Sequence, residues 1–194
     1  ADGRFHLEPA MIQNPTVSAY RYDPYAKQMT TEGYDNAKMK AERWEAITKA
    51  REAKTFGLIL GTLGRQGNNS IFDRIDSLLK GRGKIVIPFL MAEIHPDKLA
   101  MIEGIEAWVQ VACPRLSIDW GTGFTKPVLT PYELDVMLGL ASWAQDHAYP
   151  MDYYSQSGNK WGNMYHRQPV GKSKSGETPS ACACANGDSS GTCR

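Results

Sequence analysis

Four cysteines offer most of the chemistry open to this 194-residue sequence: Cys113, Cys182, Cys184 and Cys193. Cys113 stands in the run Val111-Ala112-Cys113-Pro114-Arg115-Leu116-Ser117-Ile118-Asp119-Trp120-Gly121. Pro114 lacks a backbone N–H and turns the chain sharply, which presents the thiol. The neighbouring Arg115 charge favours the thiolate, the form that binds iron. One thiolate does not hold a cluster and no C-x₂-C-x₂-C run is present, so partner ligands would come from other domains or from the tail. The alternative for Cys113 is a small buried residue closing a strand. In the tail, Cys182-Ala183-Cys184 and Cys193 read as solvated thiols, with a mobile redox pair or an accessory metal-thiolate arm as the alternative.

A second candidate is the loop Gly61-Thr62-Leu63-Gly64-Arg65-Gln66-Gly67. Its glycines permit close backbone approach and positive φ, and the free N–H groups of a following helix can hold an anion. Arg65 adds a fixed charge and a fork of donors. The loop matches neither G-x-x-x-x-G-K-[ST] nor G-x-G-x-x-G, so a P-loop is not supported. A tight strand-to-helix turn is the competing reading. Asp119 and Trp120, after Cys113, could hold an amine or an adenine, or could cap a helix and pack a core. Asp2, His6 and Asp23 rank lower, and no residue is singled out as a catalytic acid or base.

The elements that would position these groups alternate. A helix is expected from Asp35 to Ala53, with Ala37, Ala41, Trp44 and Ile47 as its apolar stripe and charges opposite. Thr55 to Leu60 is a continuous apolar run typical of a buried strand, and it ends in the glycine loop. The next helix starts near Ser70 with Asp73 in a box-like cap. It buries Ile71, Ile75, Leu78 and Leu79 and stops at Gly81 and Gly83. Lys84 to Leu90 is a second strand, a short helix begins at Pro96, and Ala107 to Ala112 is a third strand delivering Cys113. Thr130-Pro131-Tyr132-Glu133 carries a complete capping box for a last helix that buries Leu134, Met137, Leu138 and Ala141. The order predicts an α/β fold: a parallel sheet with helices on both faces and right-handed crossovers. In such sheets ligands bind beyond the carboxyl ends of the strands, which directs attention to the loops after Leu60, Leu90 and Cys113. Residues 1–30 read as irregular, with a turn at Asp23-Pro24.

Composition narrows the partners. Lys+Arg 22 against Asp+Glu 21 gives a net charge of +1, so neither nucleic acid nor an anionic membrane is expected as the main partner. No apolar run approaches the roughly 20 residues that span a bilayer. The start Ala1-Asp2-Gly3-Arg4-Phe5-His6 has no signal-peptide core and reads as a cut end. Three cysteines crowded at one end do not form a disulfide framework, which predicts a reducing, cytoplasmic setting.

Several blocks, in order, resemble one family. They are Asp2-Gly3-Arg4-Phe5-His6-Leu7-Glu8, Tyr20-Arg21-Tyr22-Asp23-Pro24-Tyr25, Gly57 through Gly67, Trp108 through Thr122, Leu129-Thr130-Pro131-Tyr132-Glu133 and Tyr149-Pro150-Met151-Asp152-Tyr153-Tyr154. The chain resembles, from Asp2 to about Tyr154, the C-terminal portion of the eukaryotic 2-(3-amino-3-carboxypropyl)histidine synthases that begin diphthamide synthesis. Ser117-Ile118-Asp119-Trp120 resembles their first, catalytic subunit and not the auxiliary paralogue. The resemblance implies three similar α/β domains, each giving one Cys to a single 4Fe-4S cluster, with Cys113 as the ligand of the third. Residues 1–30 would then end the preceding domain, 31–155 would be the C-terminal α/β domain, and 156–194 an extension, disordered from about residue 172.

The open iron would bind S-adenosylmethionine, and the reduced cluster would cleave its Cγ–S bond. The 3-amino-3-carboxypropyl radical would add to C2 of a histidine of elongation factor 2, leaving methylthioadenosine. Gly61, Gly64, Arg65 and Gln66 would hold the S-adenosylmethionine carboxylate. Implied partners are the paralogous second subunit in a heterodimer, elongation factor 2 as protein substrate, and an electron donor. Without the first domain and most of the second, this chain alone would neither hold the cluster nor turn over. Two other readings are a non-catalytic α/β module that docks the partner subunit with a structural Cys113, and a nucleotide-binding domain using the Gly61–Gly67 loop. The missing Walker lysine counts against the last.

Overall fold

Thr55-Phe56-Gly57-Leu58-Ile59-Leu60-Gly61 is apolar at nearly every position, which suits a strand with neighbours on both edges and cover on both faces. The computed structural model describes residues 4–64, 66–145, 147–151 and 160–162. In it this run is the second strand of a four-stranded parallel sheet. The strands are β3 (Thr55–Gly61), β4 (Ile85–Met91), β5 (Ala107–Val111) and β6 (Val128–Leu129), in the spatial order β4-β3-β5-β6. One face packs against α2 (Asn36–Ala50), α3 (Asn69–Lys80) and α6 (Pro131–Met137) through Phe56, Leu58, Val109, Ile47, Ile75 and Leu134. The other face is covered by the short α4 (Pro96–Ala100) and its flanks, where Leu99, Ile94 and Ile105 meet Ile59 and Trp108. The expected α/β sheet with helices on both faces is therefore present.

The caps explain where the helices begin. Thr130 and Glu133 form the expected reciprocal box at the start of α6, with Pro131 in the first turn. The α3 helix starts slightly earlier than the Ser70–Asp73 pattern predicts. Asn68 is its cap, accepting from the Ile71 N–H, and Asn69 is already helical. Gly81 is the C-cap and Gly83 follows at φ +71°.

Two expectations fail for identifiable reasons. The buried face of α2 is Met39, Arg43, Ile47 and Ala50, not the stripe through Ala37, Ala41 and Trp44. Trp44 is 39% exposed, whereas Arg43 is 2% exposed. A charged residue occupies the inward position because a carboxylate waits for it, and hydrophobicity alone misplaces the face by part of a turn. Residues 4–30 are also more regular than expected. A turn at Arg4–His6 leads into α1 (Leu7–Gln13), and β1 (Ala19–Asp23) pairs antiparallel with β2 (Gln28–Glu32). Helix α1 buries only Met11 and Ile12, too few to show a period, and both faces of the hairpin are exposed, so it shows no alternation. The Asp23 carboxylate accepts from the Tyr25 and Ala26 N–H groups and forms the turn expected at Asp23-Pro24. The expected extension over 156–194 falls almost wholly outside the described residues.

Gly57 shows how tightly the middle of the sheet is filled. The Trp108 ring lies across it, and a Cβ built there would fall inside that ring. Gly57→Ala should destabilise the chain by about 1–3 kcal/mol through overpacking, read as a lowered urea midpoint. Gly33→Ala, where nothing lies within 4 Å of the added carbon, should leave the midpoint within about 0.5 kcal/mol of the parent.

Candidate functional site

The central strands β3 and β5 run side by side in parallel, with Leu60 opposite Val111, so the loops that leave them leave together. Gly61 is forced by contact: a Cβ there would lie 2.6 Å from the Ala112 Cβ. Gly67 folds back so closely that its own Cβ would run into the Gly61 carbonyl. These two glycines let the loop after β3 turn away and leave a cleft open beyond the strand ends, with a volume of about 480 Å³. Gly61 at the end of β3 lines it with Leu63 and Gln66 from the loop that follows, Ala92 to His95 from the loop after β4, and Cys113 and Arg115 from the segment after β5. Trp120 packs edge-on against the His95 ring at 4.9 Å along the same wall.

Cys113 is half-buried and free of any disulfide. Burial pushes its thiol above the ordinary range, against the opposing pull of the Arg115 backbone N–H and the Arg115 charge. Arg115 does act in the direction expected from sequence, but desolvation is the larger effect. The guanidinium is already committed. Its Nη2 donates to Glu8 Oε2 at 2.5 Å and its Nε to Asp119 Oδ2 at 3.0 Å, while Phe5 lies under it at 5.2 Å. Burial alone would lower the Arg115 pKa, and the two carboxylates more than reverse that. Asp119 is raised by burial, with Arg115 opposing. One donor remains over: Arg115 Nη1 is buried and has no partner among the described residues.

The segment carrying Cys113 is fixed from behind. Arg43 reaches across from α2 and places Nε and Nη2 on the two Glu133 oxygens, both at 2.7 Å. Nη1 and Nη2 also donate to the carbonyls of Ser117 (2.8 Å) and Val128 (2.6 Å). Ser117 belongs to α5 (Arg115–Asp119), the short helix after Cys113. Gln110 Nε2 donates to Ser117 Oγ and to the Cys113 carbonyl, each at 3.1 Å. Tyr149 adds its hydroxyl to Glu133 Oε1 at 2.8 Å, and burial, then the Glu133 charge, push that phenol well above its usual value.

Of the residues singled out from sequence, Cys113, Gly61 and Gln66 are brought to one cleft. Gly64 sits on the same loop at φ +62° with open space around it, and is not part of the lining. Arg65, Asp2, Cys182, Cys184 and Cys193 lie outside the described residues. Asp119 and Trp120 both reach the wall, Asp119 as a partner of Arg115. His6 packs edge-on against Phe5 at 5.4 Å. Sequence reading missed Phe5, Glu8, Arg43 and Gln110, and read Glu133 only as a helix cap. Glu8 and Arg115 are 107 positions apart, and no local spacing relates them. A polar Gln inside the strand Ala107-Trp108-Val109-Gln110-Val111 was the one visible anomaly. Among the described residues no three His, Cys, Asp or Glu side chains are grouped to hold a metal ion.

Two outcomes follow. Arg43→Ala leaves Glu133 buried without its counter-ion and should destabilise the chain by about 3–5 kcal/mol in denaturant titration. Peptide-mapped alkylation of Cys113 should still be climbing with pH past the midpoint of an ordinary thiol. Only the thiolate reacts, and burial disfavours it.

Comparison with known proteins gives a consistent answer. The profile of the family described as "Putative diphthamide synthesis protein" matches residues 1–149. A cattle protein named 2-(3-amino-3-carboxypropyl)histidine synthase subunit 1 is 56% identical over 156 residues, covering 80% of this chain and 35% of that one. The Dictyostelium discoideum protein of the same name is 54% identical over 162 residues, 84% of this chain and 34% of its own. The crystal structure of Dph2 from Pyrococcus horikoshii with a 4Fe-4S cluster superposes with a TM-score of 0.61 at 31% identity, over 78% of this chain and 42% of that one. This chain thus spans about a third of the length of the subunit 1 relatives it matches.

Proposed function

The chain belongs to the diphthamide synthesis protein family, alongside the eukaryotic subunit 1 sequences, and we propose that it supplies one thiolate, Cys113, to a 4Fe-4S cluster of a 2-(3-amino-3-carboxypropyl)histidine synthase. The observation that carries this reading is the position of the Cys113 thiol. It stands at the carboxyl end of a central parallel strand, in the wall of a cleft, beside a buried guanidinium with a donor to spare. That place suits a ligand better than a packing residue. A single thiolate fits one corner of a cluster, and the two other protein ligands are assigned to the part of the relatives outside the third that this chain spans. The Pyrococcus relative with a bound cluster supports the choice of metal centre.

The residues around the cleft suit S-adenosylmethionine. Arg115 and Gln66, which both line the cleft, are the donors for its carboxylate. Leu63, Leu116 and the Trp120 ring give apolar surface for the adenine, and Asp119 is close enough to the wall to meet a cationic amine. When bound, the cluster supplies the electron and the open iron site for cleaving the Cγ–S bond, with transfer of the 3-amino-3-carboxypropyl group to a histidine of elongation factor 2. The chain's own part is to aim one sulfur, neutralise a carboxylate and keep water from the apolar half of the cleft. The paralogous second subunit, an electron donor and a cytoplasmic setting complete the proposal.

The test is Cys113→Ala in the complete, reconstituted synthase. Iron per protein and the electron paramagnetic resonance signal of the reduced cluster should both collapse, together with transfer to elongation factor 2. Full iron occupancy with unchanged transfer would overturn the assignment.

A further inference from the structure

Gln110 is the one amide side chain on β5, and it is fully buried. A Val or Leu would suit that sheet position better if packing were all that mattered, because a buried amide must find partners. Gln110 finds only two. Its Nε2 is shared between the Cys113 carbonyl and Ser117 Oγ, and its Oε1 has no partner among the described residues. The Cys113 carbonyl also accepts from the Leu116 N–H at 3.1 Å, so both of its lone pairs are engaged. The carbonyl is thereby held from two directions just where Pro114 can give no backbone donor. The far end of the contact is equally fixed, since the Ser117 carbonyl is held by Arg43 and Arg43 by Glu133.

We propose that Gln110 is a positioning residue for Cys113: through the Cys113 carbonyl it sets the direction in which the sulfur leaves the strand end. This rests on the reading of Cys113 as a cluster ligand, but the geometry it describes exists without any iron. A strand residue three positions upstream, braced through Ser117 to the buried Arg43, holds the peptide that carries the thiol. The fold has other ways of stopping β5. This contact acts at the ligand itself, and packing alone does not account for the cost of burying Oε1 without a partner.

Two readings separate the positioning from the ligand assignment. In the iron-free chain, Gln110→Met keeps the volume and removes the donor. Peptide-mapped alkylation of Cys113 should then run roughly fivefold faster, the factor that about 1 kcal/mol of lost hydrogen bonding produces, with a cooperative thermal transition retained. Ser117→Ala, which removes only the brace, should shift the rate in the same direction. It also decides the matter if Gln110→Met fails to fold. Native alkylation rates in the folded variants would overturn the positioning and leave Cys113 free to be a ligand. In the complete synthase loaded with cluster, Gln110→Met should alter the electron paramagnetic resonance line shape and speed iron loss to a chelator, which a residue that only stabilises the sheet would not do. Unchanged spectra and chelator lifetimes would contradict the proposal. If instead Cys113→Ala keeps its iron, the ligand assignment falls while the alkylation result stands.

Discussion

Arg43 has one place to put its charge. Buried at the inner face of α2, it meets both oxygens of Glu133 on α6 and donates to carbonyls of α5 and β6. Removing either charge would strand the other away from water, so the pair forms together or not at all. Four elements far apart in sequence are thereby fixed relative to one another, and α5, which follows Cys113 directly, is one of them. The apolar core alone would tolerate some sliding of α2 over the sheet. A guanidinium with four defined acceptors tolerates little. The same need explains why a charged residue occupies a position that hydrophobic periodicity would give to a leucine.

From that anchor the site follows by contact. The sheet brings the ends of β3 and β5 together, and glycines at 61 and 67 allow the first loop to lie close to Ala112 and to itself. The second loop is braced through Ser117 and Gln110 to the carbonyl of Cys113. Arg115, the next charge along, is held by Glu8 from the N-terminal helix and by Asp119 one turn on, so the wall beside the thiol is rigid before any ligand arrives. Preorganisation of this kind suits the proposed site, which would present one sulfur and one cation at fixed separation. The half-buried thiol is disfavoured as a bare thiolate, and a metal would offset the desolvation that raises it.

Much of this was legible from sequence because the signals were local. The apolar runs that became β3 and β5 are continuous, the Thr130–Glu133 box spells out the start of α6, and Cys113 falls where a parallel sheet opens. The parts that were not legible depend on partners far along the chain. Arg43 looks like a surface charge until Glu133 is seen beneath it. Glu8 has no local feature that ties it to Arg115. The β1–β2 hairpin lacks alternation because both its faces are exposed, and β6 is two residues long, too short for any pattern. Gly61 stands in the lining as expected, yet the close approach it permits is to Ala112.

The most direct measurement is diffraction at the iron absorption edge from the complete, cluster-loaded synthase. An anomalous peak at bonding distance from the Cys113 sulfur, at the mouth of the cleft between the loops after β3 and β5, is the result this account requires. Iron located elsewhere, with that sulfur touching only protein atoms, would contradict it.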